Sequence, residues 1–452
     1  MPRQHAADAP THLDAAVAHE MRATAREVFL HALAESNIPK AFDRHVSFDR
    51  GILRVSDDLY DVSSFSRIFV VSFGKAAHTM TEALMSRLGA GVGVTGIVCG
   101  PTDPGSQVFG FRYYLGGHPV PNADSVRSAD AVLRALQSMS ARSLVIFMVS
   151  GGGSSLLEKP IDSEITLPDL IATYQALVHS GAPIAEINAV RKHLSAVKGG
   201  RLALAASPAH QVSMLVSDVP DNATDSLASG PTMPDTSTVE QCMEVVRKYK
   251  LLKQFPKSTR ELFERRALEE TPKRDNVAFE RSRWWPILSN ASAQKSAVER
   301  AALSGFAIEV DNSCDDWDYA KAADYLLKRV RELRKGVSRV CLISGGEVTV
   351  RVSGKAGVGG RNQHFALHCA TKIAGENITV LSAGTDGIDG NSPAAGAVAD
   401  GTTLSRAEQK GFSIERILHD FDSTPLFEAL GDSIVTGPTG NNVRDLRILF
   451  AY

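Results

Sequence analysis

The chain has 452 residues, 43% apolar and 22% charged, too long for one core of ordinary size and too evenly mixed for a fibrous or disordered protein. Forty-nine Lys and Arg against fifty-one Asp and Glu leave a net charge of -2. That balance excludes nucleic-acid binding through a global basic field, so any anion must be held by local donors.

The opening stretch, MPRQHAADAPTHLD, lacks the apolar core of a signal peptide, and no window reaches the ~18 apolar residues of a membrane span. It reads as a short frayed tail before a helix over Ala15–Glu35. Six apolar runs follow: RIFVVSFGK (67–75), LVIFMVSGGG (144–153), VSMLVSDV (212–219), WWPILSNAS (284–292), RVCLISGGE (339–347) and ITVLSAGTDG (378–387). Each is continuous, as a strand covered on both faces requires, and each ends in serine followed by glycine or small polar residues.

Between the runs lie stretches of helical periodicity, at 123–140, 185–206, 292–306 and 319–336. Strand, polar turn and helix in alternation predicts parallel α/β architecture, whose ligands bind beyond the carboxyl ends of the strands. The charged stretch between Lys257 and Asn276, with Pro272, predicts an exposed connection between an N-terminal domain, 1–265, and a C-terminal domain, 276–452. The five cysteines, Cys99, Cys242, Cys314, Cys341 and Cys369, form neither a CxxC pair nor a Cys/His cluster. A reduced, cytoplasmic protein without structural zinc is expected, with Cys341 a core residue.

The strand ends carry the chemistry. SGGGSS, Ser150 to Ser155, bares backbone N–H groups to an anion, with Ser154 and Ser155 adding hydroxyls. It is neither GxGxxG nor GxxxxGK[ST], so neither the dinucleotide fingerprint nor the P-loop is met. SFGKAA sets Lys75 just past a strand at the start of a helix over 76–88, placed to neutralise a transferring phosphoryl group. GGRNQ joins a glycine-rich loop to a helix with Arg361 at the junction, where a guanidinium offers two parallel donors. GTDGIDG supplies Asp386 and Asp389, carboxylates of the kind that hold magnesium near phosphates, although Asp-Gly pairs also form turns. In SDVPDNATD, Asp218 is better placed than Asp221 or Asp225. His118 of HPVP reads as structural, there being no identifiable partner carboxylate.

SFGKAA, HPVP, SGGGSS, SDVP, ASGPT, SGGEVTV, GGRNQ, GTDGIDG and TGPTGNNVRDLRI, in this order, resemble the MOFRL-type glycerate 2-kinases from about residue 20 onward. The resemblance implies an ATP- and Mg²⁺-dependent transfer to the 2-hydroxyl of D-glycerate, giving 2-phosphoglycerate and ADP. It also implies a Rossmann-like N-terminal domain with a parallel sheet and a smaller α/β MOFRL-type C-terminal domain, with the active site in the cleft between them. Carried over by motif, the essential lysine falls on Lys75 and the essential arginine on Arg361, bracketing the γ-phosphate. Asp218 joins them as a catalytic carboxylate. Ser150, Gly151, Gly152, Gly153, Ser154 and Ser155, with Gly345, Gly346 and Glu347, contact nucleotide or substrate anions, and Asp386 and Asp389 hold the metal. Two departures stand out: Asp221-Asn222 follows SDVP where Gly-Asp is common, and His364 follows GGRNQ where an acidic residue is common.

A hydroxypyruvate reductase is the second expectation, and it would need a nicotinamide site that no GxGxxG here provides. A non-catalytic metabolite-binding regulator is the third, without a DNA-binding module to support it. No nucleic-acid or membrane partner is expected, and homo-oligomerisation is left open.

Overall fold

The computed structural model describes residues 13–352, 354 and 356–452, without the side chains of residues 221 and 222, so the expected tail falls almost wholly outside it. The chain divides into two compact units, Ile38–Leu288 and Met1–Asn37 with Ser289–Tyr452.

The first unit opens with an antiparallel meander, β1 (Val46–Asp49), β2 (Ile52–Val55) and β3 (Asp58–Asp61). Its centre is a six-stranded sheet of β4 (Arg67–Phe73), β5 (Val94–Gly100), β6 (Phe111–Leu115), β7 (Ser143–Ser150), β8 (His210–Val216) and β9 (Ser282–Leu288). The strand order is β6-β5-β4-β7-β8-β9 and every pairing is parallel. All residues of β7 are buried, which is why its sequence is an unbroken apolar run with no alternation. The chain winds outward from β4 through β5 to β6, then returns to β7 and winds outward the other way. The reversal lies between β4 and β7, and open sheets of this kind bind ligands at that point, outside the carboxyl ends.

Position along the chain assigned WWPILSNAS to the second domain, but β9 pairs with β8, Gln211 opposite Ser282. The charged stretch before it is folded structure within this unit. Helices Val239–Lys248 and Lys257–Glu264 bury Val245, Val246, Leu262 and Phe263 and turn their charges outward. The predicted helix over 185–206 is two, Ile184–His193 and Arg201–Ala206. At the break, buried Lys198 forms an ion pair with buried Glu158, whose carboxylate also accepts from Ser195 Oγ (2.5 Å) and Tyr174 Oη (2.8 Å). Each carboxylate oxygen is thus matched by a donor, the condition under which a buried charge is tolerated.

The second unit holds β10 (Ala307–Val310), β11 (Val340–Gly346), β12 (Ile378–Gly384), β13 (Gly396–Asp400), β14 (Ser433–Ile434) and β15 (Asp445–Ala451). Their order is β10-β11-β15-β12-β13-β14. Here the all-parallel expectation does not hold. Only β10 and β11 are paired in parallel, and β15 lies antiparallel between β11 and β12. The helix Ala15–Glu35 belongs to this unit as well, burying Ala18, Met21, Ala25, Val28, Phe29 and Ala32 on one face. Its Arg22 is ion-paired with buried Asp400, and Arg26 donates to the Ser433 carbonyl (2.7 Å). All five cysteines are free and buried, and among the described residues no helix is long and apolar enough to cross a membrane.

His364 sits in the first turn of the helix Arg361–Lys372, stacked on Phe421 at 4.5 Å and edge-on to Tyr319 at 4.6 Å, with neither ring nitrogen hydrogen-bonded. Burial pushes its pKa from 6.5 down to about 4. The unfolded chain takes up this proton below pH 6.5 while the folded unit resists it to about pH 4, so stability falls as pH descends through that window. Urea unfolding at pH 7 and pH 4.5 is expected to show a loss of up to ~3 kcal/mol that His364→Phe removes.

Candidate active-site rims

The carboxyl ends of β4 and β7 are stitched together at the sheet's point of reversal. Lys75 N–H donates to the Gly151 carbonyl (2.9 Å) and Ala76 N–H to Ser150 Oγ (3.0 Å). Gly74 makes this possible: its φ is +122° and a Cβ there would overlap Ser150. The same loop leaves Gly151 bare against the carboxylate of Asp218, from the end of β8, where any Cβ would collide. Gly152, at φ +80°, would set a Cβ 3.2 Å from His118 Nδ1 and 3.3 Å from Lys75 Cγ. Four strand ends therefore deliver Lys75, His118, the glycine loop and Asp218 to one small region of the first unit.

His118, expected to be structural, places its Nδ1 3.1 Å from Ser155 Oγ. Burial, and then the Lys75 charge, hold its pKa below the usual imidazole value, so the ring is neutral at pH 7. Ser229 went unnoticed in the sequence. Its hydroxyl is 2.9 Å from Ser154 Oγ, and Ala228 and Ser229 both have left-handed backbone, φ 49° and 62°. Non-glycine residues held there carry local backbone strain, and ASGPT carries no periodic signal that would expose them. The side chain of Asp221 lies outside the described residues.

A second rim lies in the other unit, where the ends of β11 and β12 meet the start of antiparallel β15. Arg361, first residue of its helix, donates through Nε to Asp445 Oδ2 (2.6 Å) and through Nη2 to Asp445 Oδ1 (3.0 Å). Its Nη1 reaches Glu347 Oε2 at 3.0 Å. Burial by itself would lower the guanidinium pKa, but the Asp445 and Glu347 carboxylates hold it above its usual value. Arg361, Glu347, Asp316 and Asp386 line a cavity of about 500 Å³. Asp386 is half-buried with Oδ1 accepting from Ile388 N–H (3.1 Å).

Asp389 touches the same cavity but faces the helix. Its buried oxygens accept from the N–H groups of Asn362 (3.0 Å) and Gln363 (2.9 Å) and from both side-chain amides (3.3 Å each). It caps the Arg361 helix, satisfying orphan donors next to the positive helix end. Against those bonds, burial raises its pKa to about 6. The glycines of SGGE are occupied too. A Cβ on Gly345 would overlap Asn290 and Gln294, and one on Gly346 would meet Asp315. They admit neighbouring side chains, and only Glu347 of that turn faces the cavity. Among the described residues no group of three His, Cys, Asp or Glu is arranged to hold a metal.

Comparison with known proteins identifies the family and the fold. Residues 24–264 match a family model described as a domain of unknown function, DUF4147, and residues 340–445 match the MOFRL family. The D-glycerate 2-kinase of Thermotoga maritima is 37% identical over 85% of this chain and 91% of its own length. The glycerate 2-kinase of Pyrococcus horikoshii is 33% identical over 94% of this chain and 96% of its own. A crystal structure of glycerate kinase from Thermotoga maritima superposes with a TM-score of 0.83, covering 96% of this chain and 100% of that one at 32% identity.

The two aspartates of GTDGIDG should separate by variant. Asp389→Ala is expected to lower unfolding free energy by about 2 kcal/mol through the lost cap. Asp386→Asn should stay within about 0.5 kcal/mol of the parent. Urea midpoints in the reverse order would contradict the capping role.

Proposed function

The chain belongs to the MOFRL-type glycerate 2-kinase family, and we propose that it transfers the γ-phosphoryl group of ATP to the 2-hydroxyl of D-glycerate, yielding 2-phosphoglycerate and ADP. The observation that carries the proposal is the first rim. A lysine, a carboxylate and bare backbone amides converge where a parallel sheet reverses its winding. Phosphoryl transfer asks a protein mainly for positioning and charge stabilisation, with little covalent chemistry of its own.

In this reading Lys75, exposed at the rim, neutralises charge that develops on the transferring group. Asp218, against Gly151, accepts the proton that leaves the glycerate hydroxyl. The Gly151–Gly153 backbone and the Ser154 and Ser155 hydroxyls hold an anion. Bare amides accept a phosphate or a carboxylate alike. On the second rim, Arg361 is oriented by Asp445 and keeps part of Nη1 for an anion in the cavity, with Glu347 as its counter-charge.

A magnesium ion would supply charge neutralisation between phosphates, and it takes few protein ligands because substrate phosphates and water complete its shell. Asp386 fits that need, half-buried on the cavity with Oδ2 uncommitted among its hydrogen bonds. Asp389 does not fit, since both its oxygens hold the helix start. Asp386 is therefore the proposed ligand, and Asp389 is withdrawn from that role.

Phosphorus NMR of a reaction with D-glycerate and Mg-ATP is expected to show 2-phosphoglycerate. Formation of 3-phosphoglycerate, or NADH-dependent hydroxypyruvate reduction without ATP, would overturn the assignment. Lys75→Ala should lower kcat by about 100-fold or more while the unfolding midpoint stays put.

A further inference from the structure

Residues 243–266, which overlap the expected connection only from Lys257 onward, line a half-open cavity of about 550 Å³ within the first unit. That volume lies in the range of small-molecule sites, roughly 300–1,000 Å³. Met243, Val246, Leu252 and Phe263 give it an apolar interior, from the two helices and the turn between them. Lys250, Lys253 and Arg266 stand at its mouth. None of the three is in an ion pair among the described residues, and Arg247 beside them has only exposed Glu240 at 4.0 Å. The one carboxylate at the mouth, Glu264, lies 3.9 Å from Arg260. A chain of net charge -2 thus concentrates unmatched positive charge at the opening of an apolar hollow.

The backbone makes the second observation. Lys250 and Arg266 each end a helix in left-handed conformation, φ 54° and 52°. Glycine is the usual residue there because a Cβ is penalised. Both positions at this cavity keep a long cationic side chain regardless. Left-handed non-glycine residues occur at the rims, as at Ala228, Ser229 and Asp316, and also in plain turns of the meander, as at Arg50 and Ser56.

We propose that this cavity is a binding site, separate from both rims, for a small anion with an aliphatic body, its chain among Met243, Val246, Leu252 and Phe263 and its head against Lys250, Lys253 and Arg266. The walls offer no amide or hydroxyl side chain to read the edge of a base or sugar, and Met243 adapts readily to hydrocarbon. The head is a carboxylate or a phosphate ester, both of which ammonium and guanidinium groups accept.

Calorimetric titration of the full chain with decanoate, decyl phosphate and decyltrimethylammonium, each below its micelle concentration, tests this. Saturable one-site binding of decanoate alone identifies a carboxylate site, and binding of decyl phosphate identifies one that accepts phosphate. The cation should bind at least about tenfold more weakly. The double variant Lys250→Glu/Lys253→Glu should lose about tenfold or more in affinity at an unchanged unfolding midpoint. Met243→Trp, a partly exposed lining position where the larger side chain narrows the cavity, should weaken binding by about tenfold or more at an unchanged unfolding midpoint. The proposal fails if neither anion binds saturably, if the cation binds within tenfold of the anions, or if the charge-reversed protein keeps its affinity. None of these outcomes depends on phosphoryl transfer.

Discussion

Two hydrogen bonds between neighbouring strand ends, Lys75 N–H to Gly151 and Ala76 N–H to Ser150, are what the first rim is built on. They bind the turn after β4 to the turn after β7 at the one place where the sheet reverses direction. Because they join backbone to backbone and to a short hydroxyl, they leave the lysine side chain itself uncommitted. The glycines follow as a geometric requirement of the same closeness: no side chain fits between Gly74 and Ser150 or between Gly151 and Asp218. Bare amides and close-packed turns are one feature here, and the capacity to hold an anion arises from packing that the fold needs anyway.

The second rim solves a different problem, the storage of charge. Arg361 would be costly to bury alone, and Asp445 gives its guanidinium the forked partner that planar geometry favours. Asp389, its buried carboxylate held by helix amides, fixes where that helix begins and so where Arg361 starts. The two aspartates thus act in sequence, one on the backbone and one on the side chain. Asn362 and Gln363, which the motif presents beside Arg361, turn inward to Ser382 and Thr424. Only the arginine of that trio is available to the cavity.

Much of this was legible in the sequence because it is local. A buried parallel strand must be apolar throughout, and a strand end that meets a ligand must shed side chains, so both leave contiguous marks in the chain. The features that escaped are made by distant pairing. Nothing in DLRILFA announces that β15 runs antiparallel between two parallel strands, and nothing in WWPIL says that β9 closes the earlier sheet. The charge of residues 257–276 suggests a linker because outward faces dominate its composition, and only Thr259, Leu262 and Phe263, at i, i+3 and i+4, mark the buried face. Asp389 looked like Asp386 since both precede glycine; which of them meets helix amides depends on a loop's path, which composition does not encode. His118 and Ser229 owe their places to partners 37 and 75 residues away.

The second unit draws on the helix Ala15–Glu35 and on β15, elements from opposite ends of the chain, with the whole first unit between them. On the ribosome that helix emerges before the first unit, yet β12, β13 and β15, against which it packs, emerge after it. The apolar face of the helix must wait through the synthesis of an entire neighbouring unit before its partners exist. The first unit can complete its sheet while the chain is still growing; the second gains its central strand only after the whole first unit has been made. Nascent chains stalled before β15 would therefore combine a finished fold with an unclosed one, the state in which chaperones have most to grip.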